Sequence, residues 1–92
     1  MARPKKQRNL CCQPDATHYD PRGVELDQLE EVLLDHEEYV AMLHVYEHGH
    51  SQTEAAGLMH ISQPTLSRIL SRGLKKTVHA LASGKALVIE KT

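Results

Sequence analysis

Between residues 62 and 79 polar and basic side chains keep returning to one side of a helical spacing: Gln63, Thr65, Ser67, Arg68, Ser71, Arg72, Lys75, Lys76 and His79. Those types can read and hold a nucleic acid. Arg bonds guanine in bidentate fashion and Gln does the same for adenine, so Gln63 and Arg68, near the start of the run, suit base edges in a major groove. Arg72, Lys75 and Lys76, further along, suit phosphates, which position a protein without reading sequence. Ser62, just ahead of the run, and Gln52, ten residues earlier, join the DNA-binding set, Gln52 toward the backbone. Arg3, Lys5 and Lys6, followed by Arg8, form a basic N-terminal arm suited to a minor groove or phosphates. The bland reading of each residue alone is a solvated basic face or a helix cap. The combination carries the DNA-binding expectation.

Cysteines and histidines supply the other candidate chemistry. Cys11 and Cys12 are adjacent, and neighbouring cysteines rarely bridge each other. They read either as one packed and one exposed thiol or as a thiolate pair for a metal or a redox sensor. His44 and His48 lie one helical turn apart and His50 follows, so this group could bind a metal, while His18 lies near the cysteines in sequence. The ordinary alternative is surface imidazoles that titrate near neutral pH. No CxxC, HExxH, phosphate loop or nucleophile–base signature is present. An enzyme is therefore not expected, nor is a cofactor.

The elements that must position these residues announce themselves by their caps. Asp35 is followed by Glu38, and Ser51 by Glu54, the spacing of a capping box at each of two helix starts. The first helix carries Tyr39, Leu43 and Tyr46 on one stripe, flanked by Val40 and Met42, and Gly49 ends it. The second is short, about 52–59, with Ala55, Leu58 and Met59 as its buried side. Ser62 caps a third, and Pro64 falls in its first turn, where the missing N–H has no intrahelical partner to lose. Leu66, Ile69, Leu70, Gly73, Leu74, Thr77, Val78 and Leu81 give that helix one continuous apolar face over roughly 63–82. Two helices joined by a tight turn, with small Ala56 where they must approach, describe a helix-turn-helix. Ahead of it, "ELDQLEEVLL" (25–34) reads as a short helix with Leu26, Leu29 and Leu33 on one face, though "EVLL" also tolerates an extended reading. "RNLCC" and "KALVIE" read as strands that could pair within or between chains.

Ninety-two residues make one small domain without Trp or Phe. No run approaches the roughly 20 apolar residues of a membrane span. The basic N-terminus has no apolar segment behind it, so no signal peptide is expected and the chain reads as cytoplasmic. The formal charge is only −1, but it is unevenly spread. Residues 1–22 hold five basic residues against two acids, residues 23–54 nine acids and no Lys or Arg, and residues 55–92 six basic residues against one acid. Local fields matter more here than the total.

"MARPKK", "CCQP", "GVELDQLEEVLLDHEE", "SQTEAAGLMHISQPTLSRIL" and "GKALVIE" together resemble a family of small, largely uncharacterised prokaryotic proteins predicted to bind DNA. Its helix-turn-helix is similar to the fourth region of sigma factors. The resemblance implies a helical DNA-binding fold without established enzymatic activity. It puts the recognition helix on Gln63 to Arg72 and the supporting helix on Gln52 to Met59. His60 stands where such turns commonly have Gly, and Gly73 where related sequences tend to have Ala. The expected architecture is mainly α: an extended basic arm (1–23), a three-helix, sigma-region-four-like helix-turn-helix domain (24–84) and a C-terminal strand or tail (85–92). The expected function is a sequence-specific DNA-binding transcriptional regulator, and a homodimer is expected because operators usually present paired half-sites. Two alternatives stand beside it. One is an interaction module docking its acidic segment on RNA polymerase or another regulator; the other is a metal- or redox-responsive regulator using Cys11 and Cys12.

Overall fold

Each helix begins where a side chain satisfies the N–H groups that a first turn leaves unpaired. The computed structural model describes residues 13–25 and 28–91. Helix α1 is α-helical over His36–Met42 and continues as a π-helical turn over Leu43–Glu47. At its start the Glu38 N–H donates to Asp35 Oδ1 at 2.9 Å, and the Asp35 N–H donates to Glu38 Oε1 at 3.0 Å. Helix α2, Gln52–Met59, opens on the same reciprocal pair between Ser51 and Glu54. Helix α3, Gln63–Ser83, is capped by Ser62, carries Pro64 in its first turn and ends at left-handed Gly84.

The turn between α2 and α3 has three residues. His60 takes φ 59°, ψ 43° there, the left-handed conformation expected at a position that favours Gly. The His60 N–H donates to the Gly57 carbonyl and the Ile61 N–H to the Ala56 carbonyl, the paired bonds of a Schellman ending. This closes α2 and turns Ile61 onto the core.

That core is Ala41, Ala55, Ala56, Leu66, Ile69 and Leu70, with Met42, Val45, Met59 and Ile61 packed against it. Alanines from α1 and α2 let α3 approach closely. Gly73 completes the approach: a Cβ there would lie 2.9 Å from Met42 Sδ and 3.2 Å from Glu38 Cβ. The expected apolar faces need three corrections. Tyr46 on α1, Leu58 on α2, and Val78 and Leu81 on α3 are exposed. On α1 the buried residues are instead Glu38, Val40 and Ala41.

A second packing layer is a three-stranded sheet. Strand β1 is His18–Tyr19, β2 is Glu31–Leu34 and β3 is Ala86–Ile89, in the order β1-β3-β2. β2 runs parallel to β3 in the register Glu31↔Ala86 to Leu34↔Ile89, and β1 runs antiparallel to it. The three helices form the crossover between the parallel strands. Leu34, Ala86 and Ile89 are buried on the sheet, as is Ala80 on α3.

Of the two readings open for "EVLL", the extended one holds: residues 31–34 are β2, and the helical reading fails there. Pairing with β3 overrides the leucine spacing, and the strand's alternation leaves Leu33 exposed while Leu34 is buried. "KALVIE" forms its strand within the chain and has both edges occupied, so it offers no free edge to a second copy. "RNLCC" lies outside the described residues, as do Leu26 and Asp27. Among the described residues no helix is long and apolar enough to cross a membrane.

Candidate nucleic-acid interface

The first turns of α3 bury Leu66, Ile69 and Leu70 and present the opposite side to solvent. Gln63, Pro64, Arg68, Ser71, Arg72 and Lys75 are exposed, and Arg68, Ser71, Arg72 and Lys75 line a shallow groove. Ser62 Oγ accepts the Thr65 N–H at 3.3 Å and donates to Thr65 Oγ1 at 2.9 Å. Arg68 Nη2 in turn donates to Thr65 Oγ1 at 3.4 Å. Thr65 thus steers Arg68 rather than projecting alone. Two contacts tie α2 to α3: Ser67 Oγ donates to Gln52 Oε1 at 2.7 Å, and Thr53 Oγ1 donates to Gln63 Oε1 at 3.4 Å. The short first contact holds the two helices in register and occupies both Ser67 and Gln52.

Arg72 and Lys76 are committed to a partner that the sequence did not suggest. Glu38 is fully buried on α1, opposite them. Its Oε2 accepts from Arg72 Nε at 3.2 Å, and its Oε1 accepts from Lys76 Nζ at 2.8 Å and from the Asp35 N–H at 3.0 Å. Burial pushes the Glu38 pKa up, but the hydrogen bonds from Lys76, Asp35 and Arg72 outweigh it and hold the carboxyl below its ordinary value. Arg72 remains half-exposed and still lines the groove, whereas Lys76 is turned toward α1. Among the described residues, Arg68 and Lys75 make no ion pair. The missed signal was a lone acid on the core-facing side of one helix, opposite a basic pair four residues apart on another.

His79 also turns aside: Lys85 Nζ lies 3.1 Å from its Nε2 and Ser83 Oγ 3.4 Å from its Nδ1. Arg3, Lys5, Lys6, Arg8, Cys11 and Cys12 lie outside the described residues. His18 sits 2.8 Å from Asp20 and 3.9 Å from Glu31.

His44, His48 and His50 come together at the end of α1. Their ring centroids are 5.9 to 6.1 Å apart, and one ring nitrogen from each lies within 4.8 Å of the others. Burial first, then the neighbouring His48 and His50, hold the His44 pKa below its ordinary value. The spacing of His44 and His48 was legible; the return of His50 depends on left-handed Gly49, φ 76°.

Among the described residues these features define three helices and a three-stranded sheet, with two helices joined by a three-residue turn and a polar, basic face on the second. The chain belongs to the family described as "Protein of unknown function DUF134", whose model matches residues 1–92. A UPF0251 protein of Thermoanaerobacter sp. (strain X514) is 39% identical over 90 residues, covering 98% of this chain and 80% of the relative. One of Aeromonas salmonicida (strain A449) is 39% identical over 90 residues, covering 98% of this chain and 88% of the relative. One of Dehalococcoides mccartyi is 42% identical over 90 residues, covering 98% and 77%. No solved structure matches the chain.

Proposed function

We propose that this protein is a sequence-specific DNA-binding transcriptional regulator of the cytoplasm, with α2 and α3 acting as a helix-turn-helix of the sigma-region-four kind. The observation that carries the reading is the face of α3: Gln63, Arg68, Ser71 and Lys75 are exposed together on a helix whose register is fixed by Ser67–Gln52 and whose entry is fixed by Ser62. Gln63 and Arg68 read base edges, Lys75 and the exposed side of Arg72 hold phosphates, and the arm residues Arg3, Lys5 and Lys6 extend the contact. Lys76 serves mainly to neutralise Glu38. The bound unit is a homodimer on paired half-sites.

Selection of genomic fragments by the purified chain tests this reading, and sedimentation with the selected site gives the stoichiometry. A defined site should emerge, and Arg68→Ala with Lys75→Ala should abolish its retention while leaving the Glu38 contacts intact. Retention equal to the parent would overturn the assignment of α3. If the parent retains no fragment, docking on a protein such as RNA polymerase becomes the better reading.

A further inference from the structure

The corner between α1 and α2 holds three imidazoles that DNA reading does not use. We propose that His44, His48 and His50 bind a divalent transition metal of the zinc class, with the fourth coordination position open.

The scaffold is built for convergence. The π-helical turn Leu43–Glu47 carries His44, and the His48 N–H closes that turn on the Leu43 carbonyl at 2.9 Å. Left-handed Gly49 then reverses the chain, and the His50 N–H donates to the His44 carbonyl at 3.0 Å. Two of the three ligands are thus tied to each other through the backbone. A tetrahedral site with Zn–N bonds of about 2.0–2.1 Å needs ligand nitrogens about 3.3 Å apart. The three nitrogens are already within 4.8 Å. The remaining closure is within reach of side-chain rotation, since the His48 ring is exposed and the other two are part-exposed.

The surroundings supply what a ligand set needs. His50 Nδ1 lies 3.7 Å from Glu54 Oε1, and that oxygen is itself held by the Ser51 N–H at 2.9 Å. A carboxylate beside one ring nitrogen orients the imidazole and leaves the other for the metal. His44 Nδ1 is buried without a hydrogen-bond partner among the described residues, and ligation through that atom would satisfy it. An all-imidazole set favours zinc, copper or nickel over magnesium or calcium. Three protein ligands leave one position for water or an added ligand. Bound metal would clamp the end of α1 to the residue preceding the Ser51 cap, stiffening the corner from which α2 departs.

The test is a Co2+ titration of the full, tag-free, chelator-treated chain, followed by competition with Zn2+. One equivalent should give the visible absorption of tetrahedral cobalt without a thiolate charge-transfer band, and Cys11→Ser with Cys12→Ser should leave it unchanged. His48→Gln, at the exposed ligand, should weaken binding by at least about tenfold with an unaltered metal-free circular dichroism spectrum. Glu54→Gln, which keeps the capping box, should weaken it by about 10-fold through the His50 ring. The proposal is overturned by the absence of saturable binding, by binding indifferent to His48→Gln, or by binding lost with the cysteines.

Discussion

Glu38 is the residue on which the two halves of the molecule meet, because a buried carboxylate requires compensation. Lys76, the Asp35 N–H and Arg72 provide it. Glu38→Gln should destabilise the fold by about 1–2 kcal/mol at neutral pH, a modest figure because both cations are partly solvated. The sign of the pH dependence follows from its lowered pKa. The ionised group stabilises the fold above the ordinary value of 4.5, and that contribution is lost as pH falls through the lower folded value. Urea unfolding of parent and variant should converge as pH falls from the ordinary carboxylate range through the lower folded value. A gap that stays constant would show that the carboxylate's charge contributes nothing. At His60 the opposite kind of change should help. Its left-handed backbone is strained for any side chain and its imidazole is exposed. His60→Gly should stabilise by about 0.5–1 kcal/mol, the left-handed strain being larger than the added flexibility of Gly. A lower melting temperature in the variant would contradict this.

At the scale of elements, what was legible was local. Asp35 with Glu38, Ser51 with Glu54, and Ser62 with Pro64 each act within one turn, so all three helix starts could be read without knowing what the helices touch. What escaped depends on partners distant in sequence. "EVLL" tolerated either a helical or an extended reading, and what decides for β2 is β3 beside it, more than fifty residues on. The stripe of Tyr39, Leu43 and Tyr46 assumed one helical period, but the chain is π-helical over Leu43–Glu47, and Tyr46 within that turn faces solvent. The candidate face of α3 was legible as a set of exposed polar residues. Which of its cations were already spoken for was not, since that depended on where α1 crosses. The crossing itself can be tested at Gly73, where even a Cβ would come within 2.9 Å of Met42 Sδ. Helix propensity alone makes Gly the poorer residue there. Gly73→Val should nevertheless destabilise by about 2–3 kcal/mol, because overpacking at the α1–α3 contact exceeds that gain. A variant as stable as the parent in denaturant unfolding would mean that the two helices can separate without loss.

For the whole molecule, the uneven charge becomes a division of labour once the ion pairs are known. Of the six basic residues in 55–92, Arg72 and Lys76 meet Glu38, and Lys85 lies 3.1 Å from Glu30. Part of the basic C-terminal block therefore neutralises the acidic middle, holding α3 to α1 and the start of β3 to the start of β2. Arg68 and Lys75 on the face of α3 make no such pair among the described residues and face outward, and half-exposed Arg72 shares both tasks. Counterion release turns this into a measurable distinction, since each phosphate contact contributes about −0.9 to the slope of log K against log salt. On duplex DNA, Lys75→Ala should make the slope shallower by about 0.9 and leave unfolding almost unchanged. Lys76→Ala should do the reverse, lowering stability by about 1 kcal/mol with the slope preserved, because its partner is a protein carboxylate and not a phosphate. Binding isotherms at several salt concentrations, alongside denaturant melts of the same two variants, separate the cases. If Lys76→Ala shifts the slope as far as Lys75→Ala, Glu38 does not hold Lys76 away from DNA, and the division between internal and outward-facing charge fails.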